Sequence, residues 1–526
     1  MEIMPAARSE RGGNTTRDND EFIAATYRDI LGREADSGGC DHYRRELSSG
    51  RITRAGMVRF MKNSPEGWLR LFPGEIPRRT IANDRLNDEE LRAGKSELRS
   101  RPTIFNIDLI GTCNMSPPCS MCINWKGEVG PRHHRGMTCA DIERFGEHLQ
   151  TAHSIINCGI GEPLLNRELI AIIRLFHSWG KPFGFNSNGL ALGPALVDRL
   201  APYFEILTIF FSLDAATAAT YAKVRGRHFD QVVANIARYC AKRREVAPAG
   251  LASRTGIVFM PMRCNRQETD EFIRLGARLG VDGVELRALN QIDREWVVQR
   301  GDFTFDYNRE ILSADELEEV RQQAVETARS EGIALDCQYQ ASPESTFAFF
   351  KPPEYNGLPI RCVLPWRYIL PYQNGDTQPC CFISESIGDW RGNGLQKLWN
   401  GPIMRELRSQ MASGGLPERC LRSPSCPVVQ AYFREQRLAV AHSRQSASDP
   451  APIRFPAPIG FTAQAQRKIP WLGRLIMALR RRFNLELEHS LGKLLERQEV
   501  INAILRSELE KLRREMAEMR RRDDEP

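Results

Sequence analysis

Between residues 102 and 290 short apolar runs alternate with longer amphipathic ones. The runs at 103–110, 154–159, 182–186, 205–213, 254–260 and 282–288 have the length and content of strands, and the stretches at 139–151, 167–179, 194–203, 229–244 and 266–279 carry apolar positions at helical spacing. Such alternation predicts parallel strands joined by right-handed crossovers. Six units predict an α/β domain over 101–300, shaped as a partial (β/α)6, TIM-like barrel, whose function gathers at the C-terminal strand ends. Residues 1–17 read as disordered. A helical pattern fills 18–72, with Phe22, Tyr27, Ile30 and Leu31 on one face and "GREADSGG" as a turn, where Asp36 fits a turn or helix cap better than a metal ligand. A polar linker over 73–100 and a polar connector over 301–360, with a helix at 313–330, flank the barrel. A small cysteine-rich domain follows at 361–435.

The Ala/Pro/Ser-rich stretch at 436–470 reads as a linker, and 471–522 as an amphipathic helix followed by a coiled coil. In the first of these, Trp471, Leu475, Ile476, Leu479 and Phe483 share a face beside Arg480 to Arg482. That face suits peripheral contact with an anionic membrane, or docking on the protein's own body. The stripe Leu491, Leu494, Gln498, Ile501, Leu505, Leu512 and Met519 predicts a short coiled coil, for self-association or a partner helix. A charged, solvated single helix is the alternative.

Length and composition sharpen this outline. A chain of 526 residues, 41% hydrophobic and 26% charged, is expected to hold two to four globular domains. The N-terminus reads as lacking the apolar core of a secretory signal, and no apolar run reaches a bilayer-spanning length. Fourteen cysteines then point to a reducing, cytoplasmic setting, where clustered thiols bind metal more often than they form disulfides. The net charge is +7, but residues 467–526 alone carry 15 basic and 11 acidic side chains. The excess is therefore concentrated in the tail, and no nucleic-acid surface is expected.

Candidate chemistry starts at the end of the first strand. In "IDLIGTCNMSPPCSMC" three cysteines, Cys113, Cys119 and Cys122, share one loop. Three thiolates can hold three irons of a [4Fe-4S] cluster and leave the fourth open, and the same loop could hold zinc. The second strand is followed by "CGIGEPLLN", the third by "FNSNG" and the fourth by "SLDAATAATYAKVRG". A carboxylate on a glycine turn, as Glu162 in "GEP", can accept hydrogen bonds from an ammonium group. Each of these segments alone reads as an ordinary turn; their order at successive strand ends favours a shared site.

The cysteine loop and these three segments, in this order, resemble the radical S-adenosylmethionine (SAM) superfamily, particularly members with a C-terminal SPASM or twitch domain. The resemblance runs from Pro102 to Pro427. It implies that Cys113, Cys119 and Cys122 ligate a SAM-binding [4Fe-4S] cluster. Gly161, Glu162 and Pro163 would help bind SAM, Glu162 taking its amino group, and Asn186, Asn188, Ser212 and Asp214 would lie near its ribose and carboxylate. The sixth strand, "GVDGVELRAL", would present Leu286 and backbone to the adenine. Two departures stand out: the C-x5-C-x2-C loop is two residues longer than the family's usual C-x3-C-x2-C, and Met121 stands where an aromatic residue is common.

A second set, Cys362, Cys380, Cys420 and Cys426, with Gly375 between the first two, resembles the SPASM/twitch pattern and implies one auxiliary [4Fe-4S] cluster; Cys381 could replace Cys380. Structural zinc is the alternative. Cys40, Cys139, Cys158, Cys240, Cys264 and Cys337 read mostly as small buried apolar residues. The segment from Tyr27 to Glu66 resembles a helical domain of unknown function, similar to phycobilisome-linker repeats. The implied activity is that of a radical SAM oxidoreductase or maturase. SAM is cleaved reductively to a 5′-deoxyadenosyl radical, which takes hydrogen from a substrate C–H bond in peptide or protein modification or in sugar-type oxidation. The implied partners are a peptide or small-molecule substrate and an electron donor such as flavodoxin or ferredoxin. The competing reading is a non-catalytic zinc-binding or scaffold protein.

Overall fold

The computed structural model describes residues 16–435 apart from 50–51, 123–135, 158, 160, 249, 290–291, 293–294, 339–359, 424–425 and 434. The sequence readings for the 436–470 linker, the amphipathic helix and the coiled coil lie outside the described residues. The described elements up to Cys426 form one compact unit. Among the described residues no helix is long and apolar enough to cross a membrane.

Among the described residues ten strands form one sheet. In chain order they are β1 (Ile104–Asn106), β2 (Ser154–Asn157), β3 (Phe183–Ser187), β4 (Leu207–Ser212), β5 (Thr255–Phe259) and β6 (Gly283–Arg287). A separate antiparallel hairpin, β7 (Val297–Arg300) and β8 (Phe303–Asp306), comes next. β9 (Ala334–Gln338), β10 (Tyr368–Pro371), β11 (Asp376–Gln378) and β12 (Gly388–Asp389) complete the sheet. Its order is β12-β11-β10-β1-β2-β3-β4-β5-β6-β9. The six predicted strands are thus present, in sequence order and parallel. Two more parallel strands extend them: β9 on β6, and β10 on β1.

Period-two alternation divides the sheet into two faces. Leu207, Ile209 and Phe211 of β4 and Ile257 of β5 are fully buried on one face. The other face carries Gly184 and Asn186 of β3, Thr208, Phe210 and Ser212 of β4, and Glu285 and Arg287 of β6, aligned by cross-strand register. Its residues on β3 and β4 are half-exposed, so this face opens toward the site.

Residues 73–100, expected as a linker, instead form an 18-residue helix, Glu75–Arg92. Its buried face carries Thr80, Asn83, Asn87 and Glu90 beside Pro77 and Leu91, and several of its polar groups bond to backbone. Asn83 Nδ2 donates to Arg101 O (3.1 Å) and Thr151 O (3.3 Å), and Asn83 Oδ1 accepts from Arg101 N (2.8 Å). The Glu90 carboxylate accepts from Arg99 N and Ser100 N, both at 3.0 Å. The predicted 313–330 helix is present as Ala314–Glu331, but the connector around it also holds β9.

The N-terminal helices pack Ile23, Tyr27, Leu31, Tyr43, Leu47, Met57 and Met61 into a core of their own, with Cys40 against it. Asp36 caps the helix Ser37–Ser48 by accepting from Gly39 N (2.8 Å). This layer docks below the sheet. Lys62 pairs with Glu205 (3.1 Å), Arg59 with Asp282, and Trp68 Nε1 donates to Gly180 O (2.8 Å). Gly180, Glu205 and Asp282 precede β3, β4 and β6, so the helices cover the N-terminal strand ends and leave the C-terminal ends clear.

Candidate active site at the C-terminal strand ends

The chain leaves β1 through Ile107–Ile110, all buried, and enters the cysteine loop. Neighbouring loops hold that loop at several points. Glu162 N donates to Thr112 O (2.8 Å), and Gly161 lies at φ 118, where an added Cβ would stand 2.0 Å from Ile110 O. Only glycine fits that approach. On the other side Ser120 N donates to Val224 O (2.8 Å), and Ser120 Oγ donates to Lys223 O (2.8 Å). From the β7–β8 hairpin and its approach, Trp296 Nε1 donates to Ser120 O (2.8 Å) and Arg300 donates to Pro118 O and Ser120 Oγ. Gly226 packs against Pro117. The long first gap therefore has a structural role, because Pro117 and Pro118 give Gly226 and Arg300 their contacts.

Cys119 is buried, Cys122 half-buried and Cys113 exposed. Burial pushes the Cys119 thiol up to about 11, with Cys122 and Cys113 adding to the shift and Arg225 opposing it. Desolvation also raises Cys113, although the residue as a whole reaches solvent. The three thiols thus sense one another. Two donors address them directly, Asn188 Nδ2 to Cys113 Sγ and Arg225 Nη1 to Cys119 Sγ, each at 3.5 Å. Donors aimed at sulfur suit thiolate ligands of a cluster, so the donor set fits such a group.

Glu162 is 1% exposed, and its carboxylate is fixed from three sides. Oε1 accepts from Leu164 N (3.1 Å) and Ser187 Oγ (2.8 Å), and Oε2 accepts from Asn188 N (2.7 Å). Burial raises its pKa to about 6, against the pull of these hydrogen bonds. Pro163 starts the short turn that places Leu164. Asn188 Nδ2 also donates to Asn114 Oδ1 (2.8 Å), so the third strand-end loop meets the cysteine loop through this side chain while its backbone N–H holds Glu162. Asn186 and Ser212 lie on the open face, and Asn186 Oδ1 accepts from Arg287 Nη2 (3.3 Å).

Two expected residues sit differently. Leu286 is fully buried on the opposite face of β6, beside Phe259, whose ring packs on Phe272 of the helix Thr269–Leu279 at 4.7 Å. The open face of β6 carries Arg287 instead, paired with Glu285 at 2.8 Å. Asp214, fully buried, gives its carboxylate to Arg225 and Met260 N. Arg225 itself has a side chain only 12% exposed. Ser187, Asn114, Asn166 and Arg225 also belong to the site. Ser187 and Asn166 lie inside the quoted "FNSNG" and "GEPLLN" segments, and Asn166 Nδ2 ties Leu109 O (3.0 Å) to Met137 O (2.9 Å).

The second cysteine set also gathers. Cys362 is buried, and its pKa is raised well above normal by desolvation, with Cys380, Cys426 and Cys420 adding to it. Cys380 is pushed up to about 11 and Cys420 to about 12, burial being the main cause in each. Cys381 is exposed, so Cys380 is the member turned toward the other thiols. Among the described residues no three His, Cys, Asp or Glu side chains are close enough to share a single ion.

These features define a parallel α/β protein with a thiol triad and a buried acid at its strand ends and a second thiol set beside them. Residues 107–275 match the radical SAM superfamily, residues 362–427 match SPASM, an iron-sulfur cluster-binding domain, and residues 7–70 match a domain of unknown function, DUF4214. The chain thus contains a radical SAM domain followed by a SPASM domain. A radical SAM domain implies a [4Fe-4S] cluster with SAM, and a SPASM domain implies auxiliary iron–sulfur binding. A curated relative, the tungsten-containing aldehyde ferredoxin oxidoreductase cofactor-modifying protein of Pyrococcus furiosus, is 25% identical over 195 residues. That match covers 36% of this chain and 52% of the relative, so this chain spans about half of the relative's length. Among solved structures, Streptococcus suis SuiB bound to S-adenosylmethionine aligns with a TM-score of 0.49 at 14% identity, over 78% of this chain and 87% of SuiB. The AdoMet-bound anSMEcpe aligns with a TM-score of 0.43 at 12% identity, over 66% of this chain and 96% of the other.

Proposed function

We propose that this protein is a radical SAM enzyme that modifies a peptide or small-molecule substrate at a C–H bond. The observation that carries the reading is the connected unit of Cys113, Asn188, Glu162 and Ser187, joined by hydrogen bonds across the ends of three strands. Cys113, Cys119 and Cys122 would hold the SAM-binding cluster, and Cys362, Cys380, Cys420 and Cys426 one auxiliary cluster. When bound, the cluster and SAM supply an electron and a 5′-deoxyadenosyl radical that removes hydrogen from the substrate.

The protein's own share is orientation and exclusion of water. The Glu162 carboxylate, held by Leu164, Ser187 and Asn188, would receive the SAM ammonium group in a dry setting, where the charge pair is strong. Asn186 and Ser212 would meet the remainder of SAM on the open face. Trp296 and Arg300 brace the cysteine loop through Ser120 and Pro118. The curated relative's name, a cofactor-modifying protein, supports modification chemistry over a scaffold role. The setting is a reducing cytoplasm, and the electron comes from a flavodoxin- or ferredoxin-type donor.

Metal and sulfide analysis after anaerobic reconstitution tests this reading. Two four-iron clusters predict about eight irons per chain, falling by about half in Cys420→Ala. Zinc in place of iron and sulfide would favour the scaffold reading instead.

A further inference from the structure

Asp214 and Arg225 form a device that holding the thiols does not require. Asp214 follows β4 with φ 54, a left-handed backbone that few side-chain-bearing residues adopt. Its backbone is tied on both sides: its N–H donates to Val258 O (3.2 Å), and its carbonyl accepts from Asn265 Nδ2 (2.9 Å). One carboxylate oxygen accepts from Met260 N (2.7 Å), which locks the group to the end of β5. The other oxygen takes Arg225 through Nε (2.7 Å) and Nη2. Two of the guanidinium's three nitrogens are thereby fixed, and the third, Nη1, reaches Cys119 Sγ at 3.5 Å. The Arg225 side chain is 12% exposed and that of Asp214 is 0% exposed. A planar fork held in this way has one direction left in which to donate.

We infer that Arg225, locked in place by Asp214, is a positioning residue that tunes the cluster held at Cys119. Its Nη1–H donates to the thiolate and favours the more negative, reduced state. The inference rests on the proposed role of Cys119 as a ligand. The Asp214–Arg225 pair is neutral overall, but its positive end faces the sulfur. Cys119 is 8% exposed, so little water screens that contact. Hydrogen bonds to cluster sulfur shift the potential in this direction. A lysine would keep the charge but could not bind the carboxylate through a fork and reach sulfur at the same time.

The test is an EPR-monitored redox titration of the full-length, anaerobically reconstituted protein, following the signal that added SAM alters. In Arg225→Gln the reduced-to-oxidised ratio at a fixed potential should fall about tenfold, equivalent to about 59 mV for a one-electron couple. Arg225→Lys should fall between Arg225→Gln and the parent. A coupling to an exchangeable proton, present in H2O and lost in D2O, should be found in the parent and missing from Arg225→Gln. An unchanged midpoint and an unchanged proton coupling in Arg225→Gln would overturn the inference. So would loss of the signal from both variants while the parent keeps it, since Arg225 would then be only a structural clamp. A parent with no SAM-responsive signal would remove the proposed function, and this inference with it.

Discussion

Burial and hydrogen bonding pull the Glu162 carboxyl in opposite directions. Desolvation wins, raising its pKa to about 6 from an ordinary 4.5. Below that value the group is neutral and has lost the charge that draws an ammonium group. SAM affinity should therefore weaken as the pH falls through about 6. Glu162→Gln should bind about tenfold or more weakly and with no inflection there, since a charged hydrogen bond contributes about 1.5–3 kcal/mol. Equilibrium binding of SAM across that window checks both points. The same shift has the opposite sign for stability without SAM. Its contribution of about 2 kcal/mol is fully present below the ordinary pKa and is lost as the pH rises through about 6.

At this scale the sequence was informative about residue types and less so about their directions. Cys113, Glu162 and Asn188 are joined because loops at adjacent strand ends must meet. Leu286 was placed wrongly because the facing of a strand depends on its register, which one apolar run does not reveal. The pairing of Arg225 with Asp214, eleven positions earlier, crosses a turn that no periodicity marks.

The helix Glu75–Arg92 shows the same limit for whole elements. Its buried positions include Asn83, Asn87 and Glu90, so the hydrophobic pattern that marks a core face is missing there. These side chains are buried because they cap backbone groups of the strand approaches, a role legible only once those approaches are in place. Asn83→Ala would leave Arg101 N, Arg101 O and Thr151 O without it. A loss of about 1–3 kcal/mol in chemical denaturation is expected, and no change would show that water replaces the amide at no cost. The six alternating strands were legible because each carries a compact apolar run. β9 escaped because its residues, "ALDCQ", alternate with polar side chains and sit inside a polar connector.

At the scale of the molecule, one sheet crosses the boundary between the radical SAM and SPASM regions. β10 pairs with β1 in parallel, and Trp390 packs its ring on Phe145 at 4.6 Å. The two regions are parts of one compact unit. A chain ending at residue 360 would expose the β1 edge and that aromatic contact, and should aggregate when expressed. A soluble, cooperatively melting product would contradict this. Below the sheet the N-terminal helices cover the strand ends away from the thiols, so their docking leaves the site open. Arg59 and Lys62 sit on that docking surface, where their partners Asp282 and Glu205 precede β6 and β4.

The central claim is that the Cys113 loop, completed by Glu162, is where SAM is cleaved. It is tested most directly by measuring 5′-deoxyadenosine from SAM and dithionite with the reconstituted parent and Cys119→Ala side by side. The parent should form it, Cys119→Ala should not, and Cys420→Ala should retain the reaction. Equal 5′-deoxyadenosine from the parent and Cys119→Ala would contradict the account.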